Sequence, residues 1–252
     1  MYKIDFNCDL GESTLQKPIT TDDKIIPLIT SANVACGYHA GSLQEMKKTV
    51  ALCKKHGVKI GAHPSYYDLE GFGRRNFDLP STEIEELVYK QVKSLYDICN
   101  DYSVSLQHVK PHGALYNTAS KNEVVSLAIC KAVKRVSCNL IIMGGSGSVL
   151  LEVAKKEGLK TASEVFADRN YLDDGLLVPR NREDAMVKSE ELAVKRVIKM
   201  IKENVVTSVN GKEVSIKPDT VCVHGDGEKA LVFVEKIRNA LLKESIEIKS
   251  LS

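Results

Sequence analysis

The feature that most constrains this chain is a repeated alternation. Short apolar, β-branched runs are separated by amphipathic stretches of helical period almost from end to end. The runs predict strands over Lys3–Cys8, Ile29–Ala35, Val58–Ala62, Ser105–Val109, Asn139–Met143, Lys160–Phe166 and Thr220–Val223. One helix is predicted after Pro80, where Thr82 and Glu85 have capping-box spacing and Ile84, Leu87, Val88, Leu95 and Ile98 keep a helical period. A second is predicted from about Arg182 to Asn204, with Ala193, Val197, Met200 and Ile201 on one side. A third uses Ala230, Val234, Ile237 and Leu241. Strands joined through helices imply a parallel sheet in an α/β fold. Seven runs suit a closed barrel with one strand fewer than usual, or an open doubly wound sheet. Val205 to Lys217 breaks the rhythm, and Asn210-Gly211 there predicts a small β-hairpin with a two-residue turn before the last strand. No repeat, low-complexity tract or linker divides the sequence, so one domain over residues 1–252 is expected.

Charge narrows the partners. With 35 basic and 33 acidic residues the formal net charge is +2, which gives no electrostatic reason to expect nucleic acid or an anionic membrane. The start, Met1-Tyr2-Lys3-Ile4-Asp5-Phe6, lacks the apolar core of a signal peptide, and no segment is long enough to span a bilayer. The seven cysteines form no CxxC pair, and Cys53, Cys99 and Cys130 fall in helical patterns, where a thiol acts as a small hydrophobe. A reducing, cytoplasmic location is expected, with no disulfide framework.

Polar and glycine-rich clusters follow the predicted strands one after another. They begin at Cys8-Asp9, Cys36-Gly37, His63-Pro64, Lys110-Pro111, Gly144-Gly145, Glu164-Val165 and His224-Gly225. In a parallel barrel or sheet the carboxyl ends of the strands open onto one face, where active sites form. His39, His63, His112 and His224 sit at such ends, His108 lies on the strand leading to His112, and His56 belongs to a helix tail. Asp9, His39 and His63 are candidate ligands for a divalent metal. Without metal the same residues can act as general acid and base around a polarised amide. Lys110, Arg169 and Arg180 offer positive charge for a carboxylate or phosphate, arginine being the better bidentate partner. No GxxxxGK[ST] occurs. Gly144-Gly145-Ser146-Gly147-Ser148, at a strand-to-helix junction, is a candidate phosphate loop but not a full GxGxxG.

Several longer motifs resemble the LamB/YcsF family. They are Asn7-Cys8-Asp9-Leu10-Gly11-Glu12, Ala32-Asn33-Val34-Ala35-Cys36-Gly37-Tyr38-His39-Ala40-Gly41 and Gly61-Ala62-His63-Pro64-Ser65-Tyr66. Gly71-Phe72-Gly73-Arg74-Arg75, Val109-Lys110-Pro111-His112-Gly113-Ala114-Leu115-Tyr116-Asn117 and Glu164-Val165-Phe166-Ala167-Asp168-Arg169 continue the set. Leu177-Val178-Pro179-Arg180 and Val223-His224-Gly225-Asp226 complete it. The resemblance implies a seven-stranded (β/α)-type barrel similar to the glycoside hydrolase/deacetylase superfamily. It implies a role as one component of an ATP-dependent 5-oxoprolinase, which hydrolyses 5-oxo-L-proline to L-glutamate with partner subunits B and C. ATP is then the co-substrate, with Mg²⁺ as the divalent metal accompanying it; a homo-oligomer is compatible with this reading.

Carried over by match, the catalytic residues are Asp9, Glu12, His39, His63, Lys110, His112, Asp168 and Arg169. Asn33, Arg74, Arg180, His224 and Asp226 are carried over as substrate- or phosphate-binding residues. Asp9 or His63 is assigned as base, and Lys110 or Arg169 as oxyanion or phosphate stabiliser. Two positions depart from the family pattern: Ser42 stands where Asp is usual, and Tyr67 where Pro is usual. Two other functions compete. One is a stand-alone metal-dependent deacetylase or amidohydrolase acting on a carbohydrate amide; the other is a non-catalytic substrate-binding subunit.

Overall fold

A computed structural model of the chain describes residues 2–14, 18–224 and 230–252. Its organising element is β1 (Lys3–Leu10), whose side chains alternate between two environments. Ile4, Phe6, Cys8 and Leu10 point into the main apolar core, while Asp5, Asn7 and Asp9 point the other way, as the period of a strand requires. Parallel strands follow as β2 (Ser31–Ala35), β3 (Lys59–His63), β4 (Leu106–Val109), β5 (Ile141–Gly145) and β6 (Lys160–Phe166). The last barrel strand is β9 (Thr220–His224), which pairs with both β6 and β1. The order β1-β2-β3-β4-β5-β6-β9 therefore closes on itself into a seven-stranded parallel barrel, and the open-sheet alternative is excluded.

Helices α1 (Asp22–Ile25), α2 (Leu43–His56), α3 (Ser81–Asp101), α4 (Gly113–Ala119), α5 (Glu123–Val136), α6 (Val149–Lys156), α7 (Glu190–Glu203) and α8 (Ala230–Lys243) complete the crossovers. The predicted apolar positions of α7 and α8 are all buried. Boundaries moved for physical reasons. The helix expected from Arg182 begins at Glu190, because Ser189 caps it by accepting from the Leu192 amide, while Met186 bridges back to Arg169. The capping box expected at Thr82 is not used: α3 starts at Ser81 behind Pro80, and Glu85 instead accepts from Arg135 at 3.0 Å. The hairpin is present as β7 (Val205–Thr207) and β8 (Glu213–Ser215), but its turn is longer than two residues. The Ser208 amide donates to the Lys212 carbonyl and the Gly211 amide to the Ser208 carbonyl, with Gly211 left-handed at φ 82°, so a three-residue loop replaces the two-residue one.

A short strand that the sequence pattern does not announce, β10 (Glu247–Ile248), runs parallel beside β1. Beyond it, Leu251 packs on Ile141, Met143 and Ala162, and its carbonyl accepts from Gln107 at 2.7 Å. This tail lies at the amino ends of the strands, away from the polar clusters. No helix among the described residues is long and apolar enough to cross a membrane.

Candidate active site at the strand ends

The barrel interior is polar along one side, and its groups satisfy one another in layers. Lowest, Asp5 accepts from Ser31 at 2.6 Å and from Thr30 at 2.8 Å. Above it, Asn33 donates to Asn7 and to Asp9, both at 2.8 Å, and His108 Nε2 meets Asn33 Oδ1 at 2.8 Å. His108 crosses the barrel only because Gly61 faces it: a Cβ there would come within 2.0 Å of the imidazole. Burial, reinforced by Lys110, lowers the His108 pKa to about 3, so this ring is a neutral donor.

The upper layer holds the charges. The buried Lys110 Nζ lies 2.8 Å from Asp9 Oδ1 and 2.8 Å from Glu164 Oε1. Burial alone would discharge this amine, but Asp9, then Cys222 and Glu164, hold its pKa well above the usual lysine range. Burial likewise opposes ionisation of Asp9, yet His63 and Lys110 hold its pKa well below the carboxylate range. Asp9 is thus a fixed anion and a weak base.

On one side of Asp9 three imidazoles gather. His63 Nε2 lies 3.4 Å from Asp9 Oδ2 and 2.9 Å from His112 Nδ1. His39 stacks on His112 at 3.8 Å and reaches Glu12 Oε1 at 3.2 Å. Burial pushes the pKa values of His39 and His112 well below 6.5, with neighbouring histidines adding to the effect. Glu12, His39, His63 and His112 offer ligand atoms within 4.8 Å of one another. Of the expected metal set, His39 and His63 lie in this group with Glu12 and His112, and Asp9 lies beside it, 3.4 Å from His63.

On the other side, His224 Nδ1–H donates to Asp168 Oδ2 at 2.7 Å, and His224 Nε2 accepts from Arg180 at 2.8 Å. That Nε2 lies 4.0 Å from Asp9 Oδ2. Asp168 keeps a lowered pKa despite burial because His224 stands against it. Arg169 borders the same cleft and also has a structural task. Its buried guanidinium donates to the carbonyls of Val178 and Ala185, tying down the loop after β6, and burial lowers its pKa to about 10. Arg74 covers the Phe72 ring at 4.9 Å.

A small cleft of about 40 Å³, room for roughly one water, is bordered by Asp9, His63, Lys110 and His224. Beside it lies a chamber of about 460 Å³ lined by Arg74, Tyr116, Glu164, Arg169 and Arg180 among others. The Gly144–Ser148 loop borders that chamber but is not a phosphate nest. The amides of Ser146, Ser148 and Val149 donate to Glu164, Gly145 and Ser120. Ser42 lies away from the cluster as the N-cap of α2, accepting from the Glu45 amide at 3.2 Å, a task Asp performs equally well. Tyr67 is an exposed residue set edge-on to Tyr38 at 5.5 Å. Asp226 lies outside the described residues.

The sequence profile of the LamB/YcsF family matches residues 4–252. A protein of Clostridium beijerinckii, named as the A subunit of 5-oxoprolinase, is 51% identical over 248 residues, covering 98% of this chain and 97% of the relative. A protein of Staphylococcus aureus with the same name is 51% identical over 249 residues, covering 99% of this chain and 100% of the relative. Among solved structures, the lactam utilization protein of Thermus thermophilus superposes with a TM-score of 0.92 at 37% identity, over 99% of this chain and 100% of that one.

Proposed function

The chain belongs to the LamB/YcsF family, and from that premise we propose that it is the lactam-opening component of a 5-oxoprolinase. The names of relatives matched over nearly their full length support this reading. In its finer form, the chain works with subunits B and C and converts 5-oxo-L-proline, ATP and water to L-glutamate, ADP and phosphate. The observation that carries the chemistry is the Asp168–His224 pair facing Asp9 across the small cleft, with His224 Nε2 4.0 Å from Asp9 Oδ2.

Asp168 fixes the His224 tautomer with its proton on Nδ1, which leaves Nε2 as the basic atom. Arg180 donates to that atom at 2.8 Å. A substrate carboxylate is a stronger partner for an arginine than a neutral imidazole, and drawing Arg180 away exposes Nε2. His224 then takes a proton from water as the oxygen bonds to the lactam carbonyl carbon. As the C–N bond breaks, the same proton passes to the departing nitrogen. Lys110 pairs with both Asp9 and Glu164, and Arg169 and Arg180 on the cleft wall supply the positive charge that faces developing negative charge. An unstrained lactam is a poor electrophile. Phosphorylation of its oxygen at the expense of ATP activates the carbonyl carbon, and the partner subunits are the source assigned to that transfer. C–N cleavage then leaves an acyl phosphate of glutamate, which a second water hydrolyses to glutamate and phosphate.

A stand-alone metal-dependent amidohydrolase is the second reading, favoured by the Glu12, His39, His63 and His112 cluster. The two separate in one assay. The chain is mixed with candidate B and C subunits, 5-oxoproline and ATP, and glutamate and ADP are followed together while each component is omitted in turn. Equal amounts of both products only in the complete mixture are expected. Amide hydrolysis by this chain alone, without ATP, supports the second reading, and no glutamate from folded, complete mixtures sinks the first.

A further inference from the structure

We infer that Glu12, His39, His63 and His112 form a binding site for a divalent first-row transition metal of the zinc type. The inference stands on the orientation of three buried rings and is independent of the lactam reading. Each ring has its outer nitrogen held by an acceptor. His63 Nδ1 lies 2.7 Å from the Lys110 carbonyl, and His112 Nε2 lies 2.9 Å from the Phe72 carbonyl. His39 Nδ1 lies 3.0 Å from Ser65 Oγ, whose own proton goes to the Tyr66 carbonyl at 2.8 Å. The outer nitrogens must therefore be the donors. In a neutral ring the inner nitrogen is then a lone pair.

Those inner lone pairs point at one another. His63 Nε2 and His112 Nδ1 are 2.9 Å apart, and His39 Nε2 is 3.2 Å from Glu12 Oε1. Acceptors at hydrogen-bond distance repel unless a cation lies between them. The separations suit one. Metal–ligand bonds of 2.0–2.1 Å in a tetrahedron place ligand atoms about 3.3 Å apart; three of the six pairs here lie at 2.9, 3.2 and 3.7 Å, and all lie within 4.8 Å. Outer hydrogen bonds to carbonyl and hydroxyl oxygens are also what orients metal-bound imidazoles.

The surroundings hold this arrangement in place. Phe72 and Gly73 are both left-handed, at φ 53° and 64°, and this turn delivers the Phe72 carbonyl to His112. The Phe72 ring stands edge-on to His39 and His112 at 5.5 and 5.3 Å. A Cβ at Gly73 would come within 2.8 Å of His39 Cβ and 2.9 Å of His112 Cδ2, so the turn requires glycine. Three imidazoles and one carboxylate favour zinc, iron, nickel or copper over magnesium. The expected Mg²⁺ does not suit this donor set.

The test uses Co²⁺ alone as the probe. The full-length chain is stripped with a chelator, shown to be folded by circular dichroism, and titrated while its visible d–d absorption is followed. One equivalent of tetrahedral-type Co²⁺, displaced by Zn²⁺, is expected. Glu12→Gln keeps the side-chain shape, and together with His112→Ala it is expected to weaken binding at least roughly tenfold. Absence of saturable Co²⁺ binding by the folded chain would overturn the assignment, leaving a shared proton between His63 and His112 as the missing cation. Binding untouched in both folded variants would overturn it equally.

Discussion

Lys110 is the most heavily committed side chain at the mouth of the barrel, holding Asp9 and Glu164 at 2.8 Å each. Its removal leaves two buried carboxylates without their cation. Lys110→Met is expected to destabilise the fold by about 3–5 kcal/mol in urea unfolding at neutral pH, and a loss below about 1 kcal/mol would show that the pair is solvated like a surface bridge. Residues at this scale were partly legible. Asp9, His39, His63, His112 and His224 stand out because each follows a strand-like run. Glu164 and Asn7 do not stand out as site residues, although a carboxylate and an amide inside otherwise apolar runs carry the signal. Buried polar groups are tolerated only when paired, so both imply partners on neighbouring strands. The tautomers were beyond reach, because they depend on carbonyls of Phe72 and Lys110 that only the folded turn brings to the rings.

At the scale of elements, the helix ends offer a clean comparison. Helix α2 ends on Gly57 at φ 69°, with open space around the position of its missing Cβ. Helix α7 ends on Asn204 at φ 56°. Gly57→Ala is expected to cost about 1 kcal/mol through backbone strain alone, whereas Asn204→Gly should be neutral or slightly stabilising. Denaturant midpoints of the two variants check the pair, and equal losses would contradict it. The same locality explains which elements the sequence made readable. The faces of α3, α7 and α8 follow from periodicity, which belongs to the segment itself. The late start of α7 does not, because Met186 is claimed by a bridge to Arg169 from a different part of the chain. The β-hairpin was legible from Asn210-Gly211, but its loop length depends on how Ser208 and Lys212 meet.

For the whole molecule, closure into a barrel turns seven separate strand ends into one site. Alternation alone allowed a barrel or an open sheet. What decides is that β9 pairs with both β6 and β1, a contact between distant segments that no local pattern encodes. The same closure buries titratable rings, and this sets the response to acid. His108 has its pKa lowered to about 3 by burial, then by Lys110, against 6.5 in the unfolded chain. Its contribution to stability is complete above pH 6.5 and is lost as the pH falls toward 3, at about 1.4 kcal/mol per pH unit. His39 and His112 are shifted in the same direction and steepen the fall. Melting temperatures should drop steadily below pH 6.5, and His108→Gln should flatten that slope where it folds; an unchanged slope would contradict the assignment.

In the proposed function, ring opening occurs where the Asp168–His224 pair faces Asp9. The direct measurement is glutamate formation from 5-oxoproline in the reconstituted mixture, with His224→Ala and Asp168→Asn compared with the unaltered chain and all three checked for folding. Both folded variants are expected to form glutamate at least about a hundredfold more slowly, because one removes the acid–base imidazole and the other the carboxylate that fixes its tautomer. Near-normal glutamate formation by both folded variants would contradict that placement of ring opening.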